Sequence, residues 1–182
     1  MEKSLTPPNP TKVATKWALI NSLTAIVLTY LLFYLNVPLK SPVQYITYIF
    51  FIAYLFLSQK EFKDELGGFI TFGQAFSTGF RFSVFTGLVT AVFIYLYYAF
   101  LNPVAYEQIL EMTQASMEEQ NTASSQIDKT VEMMRNWGPL LSAFGVAVGS
   151  AIIGAIFSLI TAAIIKKERS ASDLVEEAVD PE

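Results

Sequence analysis

The chain has 182 residues, 53% of them apolar, a formal net charge of −4, and neither cysteine nor histidine. These absences exclude disulfides, thiolate chemistry, zinc or haem ligation through either residue, and the usual near-neutral proton shuttle. The acidic balance and the lack of a basic stripe argue against a nucleic-acid partner.

The distribution of charge sets the class. Charges sit in the ends and connecting segments, and long stretches between them have almost none, which predicts an all-α integral membrane protein. Residues 1–10, with Pro7, Pro8 and Pro10, read as a flexible tail. Trp17–Leu35 runs 19 residues without a charge and is the first expected span, at about 17–35. No small-x-small cleavage site follows it, only Leu35-Asn36-Val37-Pro38, so it is expected to stay rather than be removed as a signal peptide.

The second expected span is 42–59. Ser41 suits an N-cap, Pro42 the first helical position and Gln44 a capping box. Its 18 residues would measure about 27 Å as helix. A polar loop is expected over 58–68, ending at Gly67-Gly68. Thr71 with Gln74 forms a second capping box, and Phe69, Phe72, Phe76 and Phe80 recur at helical spacing, as on a helix lying along a membrane surface. The third span is expected at 80–101, closed by Asn102-Pro103.

Residues 103–138 carry Glu107, Glu111, Glu118, Glu119, Asp128, Lys129, Glu132 and Arg135. Ile127, Val131 and Met134 form a helical stripe, Trp137 extends it, and Ile109, Met112 and Met117 are compatible with another. Gln120–Ser125 is turn-like. This predicts an amphipathic two-helix hairpin outside the bilayer. The fourth span is expected at 139–165, followed by Lys166-Lys167 and an acidic, disordered tail over 169–182. The membrane domain as a whole would be 11–168.

Lys and Arg accumulate on the cytoplasmic side of membranes. With four spans, Lys3, Lys12, Lys16, Lys60, Lys63, Arg81, Lys166, Lys167 and Arg169 share one side, against Lys40, Lys129 and Arg135 on the other. That bias of nine to three predicts both termini in the cytoplasm and the hairpin outside. Without the second span it would be five to seven.

Several residues are candidates for a role. In the fourth span Gly145 and Gly149 form a GxxxG, and Ser150, Gly154 and Ser158 repeat every four. Such small residues let helix backbones approach, either between chains or, as two small faces on one helix favour, within one bundle. Asn21 is polar inside the first span and is expected to hydrogen-bond between helices or at the interface. Glu111, Glu118 and Glu119, with Asp128, form an acidic surface; no EF-hand spacing accompanies them, and a solvated helix face is the plainer reading. With Ile127, Val131 and Met134 they make a candidate interaction surface. No nucleophile can be paired with a histidine base, and no Asp, Glu, Lys or His lies mid-span. No catalytic, metal or cofactor residue is therefore expected.

The stretch Gly67-Gly68-Phe69-Ile70-Thr71-Phe72-Gly73-Gln74-Ala75-Phe76 resembles the GG-x-I-x-F-x-x-A segment of the bacterial domain of unknown function 4199 family. Gly154–Lys167 is similar to that family's last span, and the acidic segment before it also fits. The resemblance implies a four-helix inner-membrane protein and no established activity. The expectation is thus a non-enzymatic protein of the bacterial inner membrane. Its hairpin would meet a protein partner or another copy of the chain. The alternative is a small permease or channel subunit acting as an oligomer. Beyond lipid and such a partner, no cofactor is expected.

Overall fold

A computed structural model describes residues 8–38 and 41–169. Among them are five α-helices: α1 (Pro10–Tyr34), α2 (Ile46–Glu65), α3 (Phe72–Leu96), α4 (Pro103–Glu119) and α5 (Ser124–Ile165). A 3₁₀ turn, Pro42–Tyr45, precedes α2, and a π-helical turn, Tyr97–Leu101, continues α3. Three helical segments are long and apolar enough to cross a membrane: Pro10–Tyr34, Phe72–Leu101 and Ser124–Ile165. The second expected span, 42–59, is not among them, because α2 continues through Lys60, Glu61, Lys63, Asp64 and Glu65.

Several boundaries differ from the sequence reading. Pro10, assigned to the tail, opens α1, since Asn9 accepts the Thr11 backbone N–H at 2.9 Å and proline at the first position sacrifices no bond. The expected loop over 58–68 is helical as far as Glu65. Phe62 is buried and Glu61 is held by α1, so tertiary contacts extend the helix through its charges. The Thr71–Gln74 box closes as expected, with Thr71 N–H donating to Gln74 Oε1 at 3.0 Å and Gln74 N–H to Thr71 Oγ1 at 3.3 Å. The helix it starts runs unbroken through residue 80, so Phe72, Phe76 and Phe80 belong to α3 itself and not to a separate surface helix. Ser41 caps the 3₁₀ turn, but Gln44 donates to the Pro38 carbonyl at 3.5 Å and closes no box. The largest difference is α5, a single 42-residue helix with Pro139 inside it. Proline removes one backbone donor without ending this helix. The acidic tail over 169–182 falls outside the described residues beyond Arg169, as do residues 1–7 of the other tail.

Contacts divide the chain into two compact units, Met1–Thr86 with Ser150–Glu182, and Gly87–Gly149. In the first, the helices alternate in direction. Lys16 meets Glu61 and Thr24 meets Tyr54, so α1 and α2 are antiparallel. Phe51 packs on Phe82 with ring centroids 5.4 Å apart, and Gln59 reaches Ala75, so α3 reverses again. One end of this unit gathers the start of α1, the end of α2, the start of α3 and the end of α5. There Val13, Phe62, Ile70, Ala75, Ala162 and Ile165 form a core cluster. An antiparallel bridge between Ile70 and Lys167 ties α3's entry to α5's exit, with N···O distances of 2.9 and 3.0 Å. In the second unit α4 contacts the first part of α5. Asn102 caps α4, accepting Ala105 N–H at 3.2 Å, with Pro103 at the first helical position.

Candidate functional site

In the first unit α3 and α5 meet through a reciprocal pair of small residues. A Cβ on Gly154 would stand 2.1 Å from Ser83 Cβ, and a Cβ on Gly79 would stand 2.6 Å from Ser158 Oγ and 2.5 Å from Gln59 Nε2. Gly79 and Ser83 are four apart on α3, as Gly154 and Ser158 are on α5, so each glycine receives the other helix's serine. Only glycine allows that approach. Into the same seam α2 inserts Gln59, fully buried, whose Nε2 donates to the Ala75 carbonyl at 3.0 Å and the Ser158 carbonyl at 3.4 Å. One amide thereby joins three helices, which in lipid counts as adhesive. Gln59 Oε1 and Ser158 Oγ at this seam, and Ser22 Oγ and Thr86 Oγ1 elsewhere in the unit, are buried without a hydrogen-bond partner. Asn21, singled out in the first span, is buried in this unit.

The charged end of this unit is organised too. The Glu61 carboxylate accepts from Lys16 Nζ, and from Trp17 Nε1 at 2.7 Å. Lys63 Nζ donates to the Ile165 carbonyl at 3.0 Å, satisfying an open carbonyl at the end of α5. Lys167 and Arg169 sit over the Phe69 ring.

The second unit holds a cavity of about 410 Å³ between the end of α3, the start of α4 and the middle of α5. Tyr95, Tyr98, Tyr106 and Trp137 line it together with Glu107 and Arg135. Its geometry rests on Gly138. A Cβ there would fall 1.4 Å from Tyr106 Oη, so the phenol lies directly on the glycine, and Oη donates to the Met134 carbonyl at 3.0 Å. Burial, and after it the carboxylate of Glu107, push the Tyr106 phenol above its ordinary value of 10. The π turn widens the end of α3 and is fixed by Asn102 Nδ2 donating to Tyr97 Oη at 2.9 Å. Such turns recur at functional sites.

The residues chosen from sequence separate into groups. Gly154 and Ser158 are buried in the α3–α5 seam, and Ser150 is half-buried. Gly145 and Gly149 face open space, with nothing within 4 Å of where a Cβ would be. Ile127 is buried, Val131 and Met134 are half-buried, and Glu111, Glu118 and Glu119 are exposed. Trp137, placed on the same stripe, is 60% exposed. Among the described residues no three acidic side chains come close enough to hold a metal ion.

Sequence reasoning missed Gln59, Tyr106 and Gly138. Gln59 shares the helical face of Phe51, Leu55 and Phe62, and that spacing was the available signal. Nothing local distinguishes Tyr106 from the other tyrosines, because its partner lies 28 residues away.

No curated protein and no solved structure matches the chain. The family described as Protein of unknown function (DUF4199) matches residues 16–167, which include the Gly-Gly entry to α3, the α3–α5 seam and the aromatic cavity. The chain belongs to that family.

Proposed function

We propose that this is a non-enzymatic protein of the bacterial inner membrane that crosses it four times, keeps both termini in the cytoplasm and holds the α4–α5 hairpin outside for a protein partner. The observation that carries the reading is the antiparallel pairing of α1 with α2. The Lys16–Glu61 and Thr24–Tyr54 contacts put Ile46 level with about Leu31 near the far end of α1. If α1 crosses a bilayer, the uncharged run Pro42–Gln59 beside it crosses the same thickness. The charges that end α2 then lie level with Lys12 and Lys16. In α4 the acidic side chains Glu111, Glu118 and Glu119 stay exposed while Leu110 is buried, which suits a solvated hairpin presenting one face.

A reporter active only outside the cytoplasm tests the topology. Fused after Ser124 it is expected to be active, and after Lys63 or Glu168 silent; activity at Lys63 would remove the second span. Photocrosslinking from Glu111 or Glu118 in the membrane is expected to capture one specific protein, and capture of lipid alone would defeat the partner-binding role.

A second reading, a small permease or channel subunit, draws on the orphaned Ser22, Gln59, Thr86 and Ser158 atoms in the first unit. Unpaired polar groups inside an apolar bundle are costly unless something polar meets them. Solute flux into vesicles that Gln59→Leu abolishes would favour it over the first.

A further inference from the structure

We propose that the aromatic cavity of the second unit binds the headgroup of a zwitterionic phospholipid, one carrying an ammonium next to its phosphodiester. The proposal rests on the membrane placement above, but on neither the hairpin's partner nor the number of spans.

The cavity presents a balanced pair of charges. Arg135 Nη2 and Glu107 Oε2 are 3.3 Å apart, a single long contact between side chains 64% and 53% exposed. A pair so open and wet is weak and easily exchanged for other partners. Its members differ in what they accept: a guanidinium matches a phosphodiester, and a carboxylate matches an ammonium. A ligand carrying both groups replaces one ion pair by two and leaves no charge uncompensated. A net-anionic headgroup would satisfy Arg135 and leave its phosphate beside Glu107. A simple cation would do the reverse.

The remaining walls fit the same ligand. Tyr95, Tyr98 and Trp137 offer ring faces to an ammonium and hydroxyl or indole donors to phosphate oxygens, while Tyr106, its hydroxyl held by the Met134 carbonyl, adds its ring alone. Tyr98 and Tyr106 are held together with ring centroids 5.4 Å apart, and Tyr106 is fixed on Gly138, so that wall is formed in advance. The volume of about 410 Å³ is within the range of small-molecule sites. Outside the cavity the exposure turns apolar. Phe100, Leu101, Val104 and Phe144 are each more than half exposed, a surface on which acyl chains can lie. An aromatic cavity bounded by charge and followed by apolar surface is the sequence of environments across a membrane–water interface.

The test uses the full chain in nonionic detergent with Trp17→Phe, which leaves Trp137 as the reporting indole. Short-chain phosphatidylethanolamine is expected to change Trp137 fluorescence saturably, at least tenfold tighter than short-chain phosphatidylglycerol. Glu107→Gln and Arg135→Gln, both at exposed side chains, are each expected to reduce that preference about tenfold without moving the thermal midpoint. Equal affinity for the two lipids, or a preference that survives both substitutions, would overturn the proposal. Free phosphoethanolamine binding as tightly as the lipid would also overturn it, since the source would then be a soluble metabolite. Reporter activity after Ser124 in the same variants separates loss of lipid recognition from loss of topology.

Discussion

Helix α5 carries two pairs of small residues four apart, and they end in opposite surroundings. Gly145 and Gly149 make the better-known association signature, yet nothing lies within 4 Å of either missing Cβ. Gly154 and Ser158 lack that pattern and are buried, with Ser83 lodged on one and Gly79 beneath the other. The difference lies on the facing helix. Next to Gly154, α3 supplies a glycine and a serine at matching spacing, so both backbones can close together. A small residue permits close approach, but only a complementary neighbour brings it about.

Substitution can break this comparison. Gly154→Leu has no room without separating α3 from α5, and is expected to lower stability in detergent by about 3 kcal/mol, as severe overpacking does. Gly149→Leu, facing open space, is expected to stay within about 0.5 kcal/mol of the parent. Thermal melts of the two variants decide. Equal losses would mean that a second copy of the chain covers the Gly145–Gly149 face.

The same logic extends to Gly138, whose neighbour is a phenol in place of a helix backbone. Gly138→Ala is expected to cost about 2 kcal/mol by displacing the Tyr106 ring. Tyr106→Phe alone is expected to cost about 1 kcal/mol, for the hydrogen bond to Met134. In the Tyr106→Phe background the alanine should cost less than it does alone, because the hydroxyl 1.4 Å from the new Cβ is gone. Protease cleavage within 103–138 reads all three, and additive costs would show that ring and glycine act independently.

The smallest effect is on pH. Because the fold raises the Tyr106 pKa, the neutral phenol is the form it favours. Stability from this group is complete below the unfolded value of about 10 and falls as pH rises through the folded value. The advantage of the parent over Tyr106→Phe in subtilisin resistance should therefore be constant up to about pH 10 and shrink above it. An advantage unchanged well above pH 10 would mean that the phenol does not titrate there.

Much of the architecture is legible in the sequence alone. Uncharged runs marked α1, the second half of α3 and the later part of α5. Thr71-x-x-Gln74 and Asn102-Pro103 marked two helix starts, since caps and proline act over one turn. The errors share a cause. The polar run after Leu57 reads as a loop, but Glu61 bonds to α1 and Phe62 clusters with Val13, which keeps it helical. Gly138-Pro139 reads as a boundary, but α5 continues through it beneath Tyr106. Such choices weigh a local preference of about 1–3 kcal/mol against contacts that no local window contains.

The sequence by itself determined that the chain is helical and apolar enough for lipid, where its charges collect, and that histidine and cysteine chemistry is absent, because these follow from residue type and period. Only the tertiary structure decided which small residues touch, that Gln59 joins three helices, and that Tyr106, Glu107 and Arg135 share one cavity with Trp137. Those facts depend on residues 16 to 99 positions apart meeting, and the physical properties of each residue alone do not encode the meeting.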